Sequence, residues 1–159
     1  VFGFDRNPQR LYLICTTGMP VLWALADPKI GEREVLTAML DVESQLAAIR
    51  PGLILITDKG FSGRETETHL AASNITLLRP SRKNEAARHG EPLLKTIRQL
   101  IESVNDTLKG QLDLEAHGGR TFEGVAIRVA QRILAMAAAI WHNNKTAAPI
   151  TRSLIAYDH

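Results

Sequence analysis

The sequence predicts a mixed α/β domain, and three observations predict it. Short runs of strand formers alternate with longer stretches at helical spacing, in the order β-β-α-β-α-β-α-α. One run, Leu53 to Ile56 (LILI), is continuously apolar, enters through Pro51-Gly52 and ends in Thr57-Asp58, the pattern of a strand buried in a parallel or mixed sheet. Hydrophobic residues make up 45% of the 159 positions and charged residues 23%, enough apolar material for a core in a chain whose length predicts one domain. Right-handed crossovers are expected between any parallel strands.

Taken in order, Val1 to Arg10 is polar and reads as irregular. Leu11 to Thr16 (LYLICT) and Val21 to Ala26 (VLWALA) flank Thr17-Gly18, which predicts an antiparallel hairpin ended by Asp27-Pro28. Glu32 to Ala48 places Val35, Leu36, Met39 and Leu40 at helical spacing, with Glu32 and Glu34 in the first turn where the helix dipole favours them. The Leu53 strand follows. Ser62 to Ser73 reads as a helix, with Ser62 and Glu65 as a capping box. Ile75 to Leu78 is a short strand that runs into a basic loop, Arg79 to Gly90. Pro92 to Leu112 is a long amphipathic helix with Ile97, Leu100, Ile101, Val104 and Leu108 as its apolar stripe. Val125 to Trp141, apolar almost all round, reads as a central buried helix, and 144–159 as a loose tail.

Composition excludes several classes. The formal net charge of +2 is too small to argue for nucleic acid by itself. The cations cluster, however: RPSRKNEAAR carries Arg79, Arg82, Lys83 and Arg88 against Glu85. The single cysteine, Cys15, excludes an internal disulfide framework, fits a reducing, cytoplasmic setting, and reads as a buried thiol. No apolar run reaches the ~18 residues of a membrane span, so no membrane partner is expected. His69 and His89 lack a second ligand at metal spacing and read as surface residues, and His117 and His142 read as structural or capping. Gly118-Gly119 is a turn without a phosphate-binding lysine motif.

Two positions carry candidate chemistry. Asp58 stands at the carboxyl end of a strand, where open α/β sheets place their ligands, and reads equally as a metal or acid/base carboxylate or as the cap of the following turn. On the Pro92–Leu112 helix, Arg98, Glu102, Asn105 and Lys109 fall within about 60° of one another at ~100° per residue, beside the apolar stripe. That stripe reads either as the wall of a cleft shared with Asp58 or as a solvated face with an Arg98–Glu102 ion pair.

TDKGF at Thr57 to Phe61, followed by Arg98-x3-Glu102-x6-Lys109, resembles the second acidic motif and the glutamate signature of DDE-type transposases of bacterial insertion sequences. The stretches RLYLICTTGMPVLWALAD, GEREVL, ITLLRPSRK and IESVNDTLKGQLDLEAHGGRT resemble the same family, so the likeness covers nearly the whole chain. One departure is Lys95, where the family pattern has a tyrosine. The resemblance implies a ribonuclease-H-like mixed sheet flanked by helices. It also implies two Mg²⁺ (or Mn²⁺) ions serving phosphodiester cleavage and strand transfer. Carried over, Asp58 and Glu102 are the second and third acidic metal ligands. Lys109 contacts DNA phosphate, Arg98 orients Glu102 or meets the backbone, and Arg79, Arg82 and Lys83 add sequence-independent phosphate contacts. The implied partner is double-stranded DNA, as transposon ends and target, with a homodimer expected from the way such enzymes assemble on paired ends. The family's first acidic residue belongs to a strand upstream of the segment matching LYLICT. Only ten residues precede that segment, and Asp5 is their sole carboxylate. The expectation is therefore an N-terminally shortened core, lacking its first strand and first metal ligand, and inactive alone. Two alternatives stay open. One is a non-catalytic DNA-binding remnant; the other is a different ribonuclease-H-like nuclease, in which Asp27 or Asp106 completes the site.

Overall fold

A computed structural model describes residues 2–4 and 7–148. Asp5 and most of the expected tail, 149–159, lie outside the described residues. The fold is mixed α/β, as the alternation of periods predicts. It divides into two compact units, Val1–Leu25 with Arg98–His159, and Ala26–Ile97.

In the first unit three strands form one sheet in the order β1-β2-β3: β1 (Phe2–Phe4), β2 (Asn7–Thr16) and β3 (Met19–Ala26). The expected hairpin is present. Thr17 and Gly18 take φ of 49° and 90°, the double left-handed turn that matches strand twist in a two-residue connection. The expectation of an irregular amino end is corrected. β2 begins at Asn7, and β1 pairs antiparallel with it, Phe2 opposite Leu11 and Gly3 opposite Arg10. Cross-strand hydrogen bonds make strands of polar residues whose own pattern carries no period.

The rest of this unit is helical. The long helix expected over Pro92 to Leu112 is realised in three pieces. A 3₁₀ turn at Glu91–Leu93 leads into α4 (Leu94–Asp106), and a π turn at Thr107–Gln111 follows; the unit takes up the chain at Arg98. The last helix, α5, runs Phe122–Lys145 and so reaches into the expected tail. Thr121 opens it, its hydroxyl accepting from Gly124 N–H at 3.1 Å. Leu11, Val104, Leu108 and Leu114 pack with Val125, Val129, Ile133, Met136 and Ile140 in one core. Cys15 is half-buried against it rather than fully enclosed.

Two sequence readings of α5 change. It is buried on one side only, and Ile127, Leu134 and Trp141 are exposed on the other. It is also long and apolar enough to cross a membrane by length and composition, 24 residues with a mean hydropathy of 1.4 over its most apolar window. Arg128 and Arg132 divide it, so the sequence shows no uninterrupted apolar run of that length. Its core-facing residues are committed to the packing just described.

The second unit is α1 (Glu32–Val42), α2 (Ser44–Ala48), β4 (Leu53–Ile56), α3 (Arg64–Ala72) and β5 (Ile75–Leu78). The single helix expected from Glu32 to Ala48 breaks at Glu43, which adopts φ −104° and ψ 46°. β4 and β5 pair in parallel, Leu53 opposite Ile75 through Ile56 opposite Leu78, with α3 as the crossover. Thr57 N–H extends the ladder to Leu78 O at 3.0 Å. β4 is less buried than its composition predicts: Leu55 is buried but Ile54 is 58% exposed. The strands form two sheets, a three-stranded one and a parallel pair, in place of the single mixed sheet expected.

The capping box is not formed. Gly63 stands at the cap of α3 and Ser62, buried, leaves its hydroxyl without a hydrogen-bond partner. The Ser62 carbonyl instead receives Arg33 Nη1 at 3.1 Å and Arg82 Nη2 at 3.4 Å. The chain enters α3 extended, Ser62 at φ −66° and ψ 130°, with Gly63 rather than Ser62 at the cap.

Candidate functional site

Asp58 sits where the sequence places it, one residue beyond the end of the β4–β5 ladder. It is exposed. Its Oδ1 accepts from Gly60 N–H at 2.7 Å and so caps the 3₁₀ turn Lys59–Phe61. A Cβ at Gly60 would stand 2.9 Å from Asp58 Oδ1, so a larger residue there would push that carboxylate aside. The capping reading is therefore realised. It leaves Oδ2 facing away from the bond, and a carboxylate offers about four lone-pair sites. One side chain can cap and still present oxygen to a cation.

Glu102 lies on α4 in the other unit. Its Oε1 accepts from Arg98 Nε at 2.9 Å, an i,i+4 pair with Arg98 80% and Glu102 56% exposed. A pair this open to water contributes a few tenths of a kcal/mol at most. The bond engages Oε1 and leaves Oε2 outside it.

Lys109 was expected on the same face, two α-helical turns on. The π turn alters that. Leu112 N–H reaches back five residues to Thr107 O at 3.0 Å, and the wider turn rotates Lys109 away from the Arg98–Glu102 line. Its ammonium pairs with Glu115 Oε1 at 2.6 Å. A π segment leaves no mark on hydrophobic spacing over so few residues.

The basic loop has a different organisation from a row of free cations. Arg79 is 3% exposed. Its Nε and Nη2 donate to Glu67 Oε1 at 3.1 and 2.9 Å, and its Nη1 and Nη2 to Glu85 at 2.7 and 3.0 Å. Arg88 takes both oxygens of Glu67 at 3.1 and 3.2 Å. Glu91 accepts the N–H groups of Ser81 and Arg88. The bonds from Arg79, then from the Arg82 N–H, hold the Glu85 carboxyl at about 2. Glu67 is lowered chiefly by Arg88, and Glu91 chiefly by the Arg88 N–H. Arg79 itself is raised, first by Glu85. Buried and bonded to two carboxylates, Arg79 has no surface with which to meet a phosphate, which removes it from the expected DNA contacts. Glu85 stands in the same stretch of sequence, but Glu67 was hidden because it lies on another element.

Arg82 and Lys83 are placed on the outside of that loop. Asp27 Oδ1 accepts from Lys29 N–H at 2.8 Å and closes a turn. His69 is bonded to Asp41 across α1 and α3 at 3.0 Å. His117, which the sequence reads as structural, is buried; its Nδ1 accepts from Gly119 N–H at 3.0 Å, and burial, then the charge of Arg132, pushes it below its usual range. No group of three metal-ligating side chains occurs among the described residues. The structure thus brings together Arg98 with Glu102, Lys109 with Glu115, and Arg79 with Glu67 and Glu85, while Asp58 and Glu102 belong to different units. Compared with protein-family models, curated proteins and solved structures, the chain finds no match.

Proposed function

We propose that this chain is a ribonuclease-H-like core of a DNA transposase, acting on the phosphodiester backbone of double-stranded DNA with Mg²⁺ or Mn²⁺. The observation that carries the reading is Asp58: an exposed carboxylate directly beyond a parallel strand pair, within the TDKGF text, with one oxygen outside its cap. The Arg98-x3-Glu102-x6-Lys109 text supplies its counterpart, and Glu102 likewise keeps one oxygen outside its bond to Arg98.

Asp58 and Glu102 would hold the metal. Hard divalent cations prefer such oxygens, so the donor chemistry fits. A bound ion would supply an activated water or 3′-hydroxyl and neutralise the leaving oxygen. The protein's own groups position the DNA. Arg98 aims Glu102. Arg82 and Lys83 offer charge to phosphates, and Lys109 would exchange Glu115 for a phosphate oxygen. Arg79 has another task, since its two ion pairs fix the loop that carries Arg82 and Lys83.

A second reading is a DNA-binding remnant without catalysis. It is favoured by the local bonds of Asp58 and Glu102, which give each carboxylate a structural partner of its own. Calorimetric titration with Mg²⁺ or Mn²⁺ separates the two. Loss of binding in both Asp58→Ala and Glu102→Ala supports one shared site and justifies a DNA-cleavage assay. Binding that survives both substitutions sinks the metal assignment. A folded chain that takes up no cation but binds duplex DNA, more weakly as salt rises, is the remnant.

A further inference from the structure

The exposed side of α5 has a symmetry that the core does not use. Taking Leu134 as centre, the residues four positions away on either side are Ala130 and Ala138. Seven away are Ile127 and Trp141, and eleven away are Glu123 and Lys145. At ~100° per residue these seven positions lie within about 40° of one line along the helix. The line is solvent-facing: Leu134 is 68% exposed, Trp141 59% and Ile127 58%, and Glu123, Ala138 and Lys145 are exposed as well. It runs opposite the buried series Val125, Val129, Ile133, Met136 and Ile140.

Large apolar residues at seven-residue spacing with alanines between them form a packing seam. The stripe reads acidic, large, small, large, small, large, basic. Rotated by 180° about an axis through Leu134, it lays each class on its complement.

We infer that α5 is a self-association surface, and that a second copy of this chain packs its own α5 antiparallel against it across a two-fold axis at Leu134. Leu134 then meets its own symmetry mate. Ile127 lies against the partner's Trp141, Ala130 against the partner's Ala138, and Glu123 against the partner's Lys145. The contact is isologous and closes at two copies. The alanines let the helix axes approach at the short end of the 8–10 Å range. Charge selects the direction. A parallel, in-register pair would oppose Glu123 to Glu123 and Lys145 to Lys145. The antiparallel pair joins opposite charges at both ends and also opposes the two helix dipoles. Lys145 is already held near the seam, 6.0 Å from the ring centre of Trp141. The inference is independent of the proposed DNA chemistry, since it needs neither metal nor nucleic acid.

The test is sedimentation of the whole chain over a wide concentration range, with helicity checked for every variant. The wild type is expected to show a reversible monomer–dimer equilibrium. Leu134→Glu, on an exposed position, should keep its helicity and weaken the dimer at least tenfold. Glu123→Lys alone and Lys145→Glu alone should each weaken it about threefold to tenfold, as two surface ion pairs turn repulsive. The double variant Glu123→Lys with Lys145→Glu should regain wild-type affinity; a parallel pair would leave the singles and the double alike, so loss followed by rescue marks the antiparallel arrangement. A wild type that stays monomeric at every concentration overturns the proposal. So does a dimer indifferent to Leu134→Glu, or a double variant no better than the singles. A monomer that instead co-sediments with phospholipid vesicles through Leu134 and Trp141 overturns it too, and makes lipid the occupant of the stripe.

Discussion

Arg79 and Glu67 are joined by two hydrogen bonds to a single carboxylate oxygen, Nε at 3.1 Å and Nη2 at 2.9 Å, with the guanidinium 3% exposed. The same guanidinium reaches Glu85 in the following loop, so one buried cation ties α3 to the segment after β5. Replacing Arg79 by Ala should cost the unit about 2 kcal/mol, because two carboxylates lose their charge-assisted donors. Arg79→Lys should recover only part of this, since an ammonium cannot fork to both. Urea denaturation midpoints measure the order. The paired substitution Lys83→Ala, at an exposed position, should leave the midpoint unchanged while weakening any DNA binding.

The same cluster makes stability depend on acid. Glu85 falls from an ordinary 4.5 to about 2 in the folded protein. A carboxyl lowered by folding stabilises the native state fully above its unfolded value, and that contribution disappears as pH falls through the folded value. The unfolding midpoint should therefore drop progressively between about pH 5 and pH 2. In Glu85→Gln the drop over that window should be smaller. Equal slopes for the two proteins would show that Glu85 is not the linked group.

Asp58 performs one task already, and a single substitution separates it from the proposed second one. Asp58→Asn keeps an oxygen for Gly60 N–H and should leave the midpoint nearly unchanged, yet weaken cation binding. Asp58→Ala should lose the cap as well, at about 1 kcal/mol. Gly60→Ala should displace the Asp58 side chain, because a Cβ stands 2.9 Å from Oδ1. Thermal melts run beside the cation titration read both effects on the same samples.

Gly119 lies against the start of α5. A Cβ there would stand 2.7 Å from Val125 N and 2.9 Å from Gly124 C, both backbone atoms that cannot rotate aside. Gly119→Ala should destabilise its unit by about 1–3 kcal/mol. Gly110→Ala, where a Cβ meets nothing, is the matched control. Equal midpoints for the two variants would contradict the close approach.

Several features were legible because they are local. The β2–β3 hairpin follows from two strand-forming runs around Thr17-Gly18. The Asp58 turn follows from an apolar run ending in Asp-Lys-Gly. Of the candidate site, the Arg98–Glu102 pair was legible from helical spacing, and it formed. Lys109 was not, because the π turn depends on a bond from Leu112 back to Thr107 rather than on any periodic signal. The burial of Arg79 was not legible either, because charge in a sequence carries no record of burial.

The sequence by itself determined the α/β class, the order of the main elements from β2 onward and the composition of the α5 stripe, since periods of two and 3.6 are written in neighbouring residues. Only the tertiary structure decided that the strands divide into two sheets, that Arg79 turns inward to Glu67, and that α5 buries one side and leaves Ile127, Leu134 and Trp141 outside. Those outcomes rest on which distant segments meet. Hydrophobic burial is non-directional and rewards any apolar contact alike, so the choice among partners is made by the packing of the whole chain and not by any stretch of it.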